Sequence, residues 1–152
     1  MLADFQQALA DLVASPPLCN AVRGDETVLA QRYSLTERER ARLQAIARHR
    51  GMQAVCSVYR MNRITPLMMN LRATLLALGE RLPNLCSRYW AEHASGYTHS
   101  HLESARFCGW LALQLAPDDP AQIALAQEWG QVSEALDSAL GRGSEPWPHR
   151  SQ

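Results

Sequence analysis

The sequence predicts an all-α protein, a single-domain bundle of about six helices. Apolar residues recur at intervals of three and four along most of the 152-residue chain, which is the period of an amphipathic helix. Serine, threonine or aspartate precedes several of these segments, and glycine or proline follows them, as at helix ends. No segment alternates polar and apolar residues between hairpin turns, so we expect no sheet. We place the helical bundle domain at residues 1–141 and a flexible C-terminal tail at 142–152.

The N-terminal elements follow from helix periodicity and end signals. A first amphipathic helix ends at Ser15-Pro16-Pro17, because proline cannot continue a helix. Residues 19–31 are expected to be a connector with at most a short helical turn. Ser34 with Glu37 and Thr36 with Glu39 both match a capping box, so a helix starts near Leu35. The apolar stripe of the first helix consists of Phe5, Ala8, Leu9, Leu12 and Val13.

The C-terminal elements include a segment that is apolar on nearly all sides. The helix that begins near Met52 reaches Thr65-Pro66, where a new helix starts or a long one kinks. Residues 67–78 are broken by few polar side chains, which is typical of the central helix of a bundle. Gly79 is predicted to end this segment. A later helix is predicted to start at a Ser100–Glu103 capping box, and the last one to start at Asp118-Asp119-Pro120 and end at Gly141.

Charge is segregated along the chain although the formal net charge is zero. Nine arginines and two acids lie between Arg32 and Arg72, giving that segment +7, whereas residues 1–31 carry −3. All fifteen basic residues are arginine, whose planar fork suits carboxylates and phosphates. The pattern predicts one basic surface that faces an anionic partner.

Signals for catalysis, metal binding and membrane insertion are weak. The four cysteines form no CxxC motif, and Cys56 and Cys86 lie on apolar stripes as small hydrophobic residues. His99 and His101, with His93, lack a convergent ligand set and are expected to be polar or solvated side chains. We therefore expect no catalytic residue, no metal site and no activity of this chain alone. No apolar run approaches a membrane span, and we expect a cytoplasmic protein without membrane contact.

Two groups of side chains are candidate sites. Tyr59, Arg60, Asn62 and Arg63 place a guanidinium and an amide beside an apolar helical stripe, where bare polar groups would be costly. They are equally suited to a structural network that ties helix ends together and to ligand binding.

Arg38 and Arg42 form the second group, on a flank of the helix that starts near Leu35. The alternative is a solvated helix face that Glu37 and Glu39 partly neutralise.

A spaced set of residues carries a resemblance to a known family. The run Val58-Tyr59-Arg60-Met61-Asn62 is followed by an apolar helix to Leu78-Gly79, then by Tyr89-Trp90 and His93, and then by Glu103, Phe107 and Leu111. This pattern resembles a small all-helical bacterial family whose members are labelled DNA-binding domains, over roughly residues 2–116. The chain departs from it at Thr74-Leu75-Leu76, where the family has threonine-phenylalanine-proline.

Two segments, residues 35–39 and 56–66, are similar to a subset encoded beside multinuclear iron-dependent oxidases that modify cysteines of ribosomally made peptides. One member is the small subunit of the enzyme that excises the β-carbon of a peptide cysteine in 3-thiaglutamate biosynthesis. The resemblance implies a hetero-oligomer in which the oxidase subunit holds the iron. This chain would then carry no cofactor and would assist binding of an acidic precursor peptide or stability of the complex.

Nucleic acid is the alternative partner, as the family label suggests. Nine arginines within 41 residues could neutralise several phosphates, and binding would then weaken steeply with salt. Zero net charge and the lack of a helix-turn-helix signature disfavour this alternative.

Overall fold

The structure, a computed structural model, describes residues 2–96 and 99–141 and confirms the predicted all-α class. Those residues contain no strand. The chain groups into two compact units, Met1–Met61 (unit 1) and Asn62–Gln152 (unit 2). The helices are α1 (Leu2–Ala14), α2 (Pro16–Gly24), α3 (Thr27–Ala30), α4 (Glu37–Arg48), α5 (Met52–Asn70), α6 (Arg72–Leu78), α7 (Leu82–Glu92), α8 (Ser100–Ala112) and α9 (Pro120–Leu140), with a 3₁₀ turn at Gly79–Arg81.

The helix count exceeds the expected six because the predicted connector is helical. Residues 19–31 contain most of α2 and the whole of α3. Ser15 starts α2 by accepting a hydrogen bond from the backbone N–H of Leu18, and Pro16 suits the first helical turn since it lacks an N–H. The predicted tail at 142–152 lies outside the described residues, so that boundary stays a prediction. No helix in the described part of the chain is long and apolar enough to cross a membrane.

Unit 1 packs α1 to α4 and the start of α5 around one apolar core. Leu12, Leu29 and Leu43 are fully buried there. Tyr33 donates a hydrogen bond of 2.5 Å to the Asp11 carboxylate, which joins the end of α3 to α1. Burial, followed by this carboxylate, raises the pKa of the Tyr33 hydroxyl.

Unit 2 contains the larger core, in which α9 packs against both α6 and α8. Leu67, Leu71, Phe107, Leu111 and Leu125 are fully buried. Asp119 caps α9 by accepting from the backbone N–H of Ala121, as predicted, and Gly141 ends α9 with the left-handed φ of 66° that glycine tolerates.

The sequence allows either a new helix at Pro66 or one long helix that passes through it. Helix α5 is the long helix, since it continues through Pro66 to Asn70. The chain breaks instead at Leu71, before α6. The expectation of a central helix over residues 67–78 is wrong. Met68, Met69 and Leu76 are 58, 76 and 73% exposed, so this segment buries one face only.

A carboxylate from another helix starts α6. Leu71 provides no side-chain cap, and the Glu128 carboxylate of α9 accepts hydrogen bonds from the backbone N–H groups of Ala73 (2.7 Å) and Thr74 (2.9 Å). The Thr74 hydroxyl donates a third, of 2.7 Å. Glu128 thus replaces the missing cap and places a negative charge at the positive end of α6.

Replacing Glu128 with alanine is expected to lower the free energy of unfolding by about 1–3 kcal/mol, because the buried Thr74 hydroxyl and its N–H would lose their acceptor. Urea titration followed by circular dichroism measures this change. Glu134→Ala removes an exposed carboxylate from the same helix and serves as the control, with an expected change within about 0.5 kcal/mol. Equal stability of the two variants would contradict the cap.

Candidate partner-binding site

Helix α4 begins with one of the two capping boxes that the sequence offers, Thr36–Glu39, and not with Ser34–Glu37. The Thr36 hydroxyl accepts from the backbone N–H of Glu39 (3.3 Å), and the Glu39 carboxylate accepts from the Thr36 N–H and hydroxyl (2.8 Å each). These hydrogen bonds hold the pKa of the Glu39 carboxyl below its usual range. Glu39 is therefore committed to the start of the helix.

The face of α4 that points away from the unit 1 core carries Arg38 and Arg42. Both are exposed, whereas Leu43 and Ala47 on the opposite face are fully buried. Neither guanidinium makes a hydrogen bond or ion pair with any residue in the described part of the chain. Glu39 lines a groove with both arginines and its charge is close to them, but its carboxylate makes its hydrogen bonds to Thr36. Two cations are thus available to a partner.

An apolar groove lies beside these cations in unit 1. Its volume is about 610 Å³, and it runs between α4 and the start of α5. A smaller groove of about 290 Å³ lies on the other side of Arg42, where Arg38 and Glu39 face Leu2 and Phe5. Arg42 lines both. We call the first the α4–α5 groove; its residues are Arg42, Ala45, Ile46, His49, Gly51, Met52 and Val55.

Sequence reasoning found the basic flank of this site but missed its apolar wall. Val55 is 49% exposed and Val58, one turn further along α5, is 59% exposed. An apolar residue on a helical stripe is usually assigned to the core, and the sequence does not show that Val55 lies beside Arg42.

The residues of the predicted Tyr59–Arg63 element differ in burial and surroundings. Arg60 is partly buried and lines a separate unit 1 pocket with Gln53. Asn62 is exposed, so the expectation that it lies on the inner face is wrong: at its position on α5 the side chain points to solvent. Arg63, in contrast, is 4% exposed.

Arg63 forms the main polar network of unit 2. Its Nε and Nη2 lie 2.9 and 2.8 Å from Oε1 of Glu103, which is fully buried in α8. Its Nη1 donates to the carbonyl oxygens of His93 (2.7 Å) and Ala94 (3.1 Å) after α7. One guanidinium therefore fixes α5, α8 and the chain after α7 to each other.

Aromatic rings enclose this ion pair. The Arg63 guanidinium carbon lies 5.3 Å from the centre of the Tyr89 ring, within the range of a cation–π contact. Tyr89 meets Phe107 edge to face at 5.1 Å. Burial, followed by the Glu103 charge, raises the pKa of the Tyr89 hydroxyl. The donors of Arg63 are directed at Glu103 and at two backbone carbonyl oxygens. Of the two predicted roles, a structural network and ligand binding, Arg63 has the structural one in unit 2.

The predicted Ser100–Glu103 capping box is absent, because the Glu103 side chain is bound to Arg63. Helix α8 begins at Ser100 with His99 as its cap and without a side-chain cap hydrogen bond. The Glu103 carboxylate binds Arg63 instead. A carboxylate three residues after serine fits both roles, and the distant arginine decides between them.

The histidines and cysteines do not assemble into a metal centre in the residues that the structure describes. No group of three or more histidine, cysteine, aspartate or glutamate side chains there could hold a metal ion. The His99 and His101 rings lie 5.6 Å apart and both are partly buried. Burial, followed by the charge of Arg106, lowers the pKa of His93, which favours its neutral form.

Comparison with known proteins gives no assignment. No family model, no curated protein and no solved structure matches this chain.

Proposed function

We propose that this chain is a non-catalytic accessory subunit of a multinuclear iron-dependent oxidase that modifies cysteine in a ribosomally made peptide. In that complex it recruits an acidic precursor peptide and adds to the stability of the assembly. The oxidase partner is proposed because residues 35–39 and 56–66 resemble the subset of the family that is encoded beside such oxidases. The observation that carries peptide recruitment is a pair of exposed cations without ion-pair partners, of which Arg42 lines the apolar α4–α5 groove and Arg38 lines the smaller groove that Arg42 shares.

The composition of the site suits a peptide with both acidic and apolar side chains. An exposed ion pair contributes only about 0.2–1 kcal/mol, so Arg38 and Arg42 alone would bind weakly. Burying one Leu- or Phe-sized side chain contributes about 1.5–3 kcal/mol, and the groove beside Arg42 offers an apolar surface for it. A segment that places one or two carboxylates next to a large apolar residue would use both features.

Nucleic acid fits this surface less well. Of the nine central arginines, Arg63 is buried, and Arg40 and Arg48 donate to the backbone carbonyls of Leu35 and Arg23. Fewer guanidinium groups are therefore left for phosphates than the sequence suggests. An apolar groove beside the cations adds nothing to phosphate binding, whereas it supplies an anchor for a peptide side chain.

Exchanging Arg38 and Arg42 together for glutamate is expected to abolish capture of the precursor peptide from an extract of the protein's own cells. Helix content and thermal midpoint should stay nearly unchanged, because both side chains are exposed and surface changes cost within about 0.5 kcal/mol. Affinity capture followed by mass spectrometry measures the first effect, and circular dichroism measures the second.

The matched control is Arg32→Glu with Arg50→Glu, which changes the net charge equally at exposed positions outside both grooves. It should retain the peptide. Loss of capture in both double variants would indicate a general charge effect and contradict a dedicated site. Nuclease-sensitive capture of DNA or RNA by the wild type, lost as salt rises, would favour the nucleic-acid alternative.

A further inference from the structure

Two cysteines that are far apart in sequence line one pocket of unit 1. Cys19 comes from α2 and Cys56 from α5, and the pocket has a volume of about 280 Å³. The remaining residues around it are Pro16, Asn20, Gln53, Ser57 and Arg60. Except for the proline, these neighbours are polar, so water and small polar solutes can enter.

The two cysteines belong to the same buried cluster of unit 1. Both residues are buried, at 4 and 6% exposure, and both thiols are free. Cys56 Sγ lies 3.6 Å from the carbonyl oxygen of Leu12, which fixes its orientation. Burial raises the pKa of the Cys19 thiol, the neighbouring Cys56 raises it further, and the positive charge of Arg23 opposes both effects. The shared pocket, rather than this pKa shift, is what brings the two thiols together.

We propose that Cys19 and Cys56 form a redox modification site, at which a peroxide converts the two thiols into an intramolecular disulfide. One thiolate attacks a peroxide oxygen, the O–O bond breaks, and the departing hydroxide takes a proton to form water. The sulfenic acid that remains is attacked by the second thiolate, the S–O bond breaks and a second water leaves. The protein loses two protons and two electrons, and hydrogen peroxide is reduced to two waters.

The other two cysteines provide an internal comparison. Cys86 and Cys108 are buried in the unit 2 core at 2 and 0% exposure, and neither lines this pocket. Burial raises the pKa of Cys86 to about 11 and raises the pKa of Cys108 as well. Since peroxide must reach a thiol to oxidise it, these two core residues should react more slowly than the two that line the pocket.

Peptide mapping of the intact chain tests the proposal. The native protein is treated with a small excess of hydrogen peroxide, alkylated, and digested with trypsin without reduction. Trypsin cuts after arginine, so Cys19 and Cys56 fall in separate peptides, residues 1–23 and 51–60. We expect these two peptides to be recovered as one linked species, two of the four thiols to be lost, and dithiothreitol to restore both. Cys86 and Cys108 should remain alkylated.

The result that would overturn the proposal is recovery of Cys19 and Cys56 as separate alkylated peptides, as sulfonic acids, or as links between two chains. A Cys56→Ser variant adds a second measurement. Without its partner, Cys19 should accumulate as a sulfenic acid that dimedone traps, and the absence of that adduct from the folded variant would also count against the pair. Mapping of the wild-type chain decides the question if the variant does not fold.

Discussion

Replacing Arg63 with alanine is expected to lower the free energy of unfolding by about 3–5 kcal/mol, the range for breaking a buried ion pair from one side. Glu103 is fully buried, and the variant would leave its carboxylate without the cation that lies 2.8 Å away. The carbonyl oxygens of His93 and Ala94 would lose their donor as well. Sequence reasoning alone suggests a smaller loss, of about 1–3 kcal/mol, because it does not include the buried carboxylate.

Urea titration of three variants tests this expectation. Arg72→Ala removes an exposed arginine from the start of α6 and should change stability within about 0.5 kcal/mol. Arg63→Met combined with Glu103→Leu removes both charges and should recover much of the loss, because apolar residues of similar volume often replace a buried pair without cost. If Arg63→Ala were as stable as Arg72→Ala, the ion pair would not hold unit 2 together.

Replacing Gly96 with alanine is expected to cost about 2–3 kcal/mol, because the added methyl group has no room. A Cβ at this position would lie 2.8 Å from Nε and 2.9 Å from Cδ of Arg63. Arg63 cannot move aside freely, since its guanidinium is bound to Glu103 and to two carbonyl oxygens. The substitution therefore either strains the chain after α7 or displaces the ion pair.

Gly130→Ala is the matched control for this change. Gly130 lies within α9, and nothing is within 4 Å of where its Cβ would be. Alanine should therefore stabilise the protein there, by roughly 0.5–1 kcal/mol. Thermal melts of both variants, recorded side by side, should move in opposite directions. A Gly96→Ala variant that is as stable as the wild type would show that Arg63 can relocate.

Local signals in the sequence predicted much of the fold. One of the two capping boxes expected before α4, Thr36–Glu39, is present, and so is the Asp119 cap, because each depends on residues within one helical turn. Gly79 and Gly141 end their helices with positive φ. The all-α class follows from these signals and from apolar periodicity.

The errors occur where a distant residue decides the outcome. Glu103 matches a capping box but binds Arg63, 40 residues away. Periodicity cannot distinguish an apolar residue that faces the core from one that faces solvent when all sides of a helix are apolar, and Met69 and Leu76 are exposed for that reason.

The candidate site could be predicted only in part for the same reason. The positions of Arg38 and Arg42 follow from the helical wheel. The groove beside Arg42 is lined by residues of both α4 and α5, and no local pattern encodes that they lie next to each other.

The proposed function predicts that an iron-dependent oxidase is encoded beside this chain, and co-expression of the two proteins is the most direct test of the accessory role. The proposal predicts that the two proteins elute together in size-exclusion chromatography and that modification of the peptide cysteine requires both. The Arg38→Glu/Arg42→Glu variant should still elute with the oxidase but support little modification, whereas Arg32→Glu/Arg50→Glu should support normal modification. Separate elution, together with full activity of the oxidase alone, would contradict the proposed function.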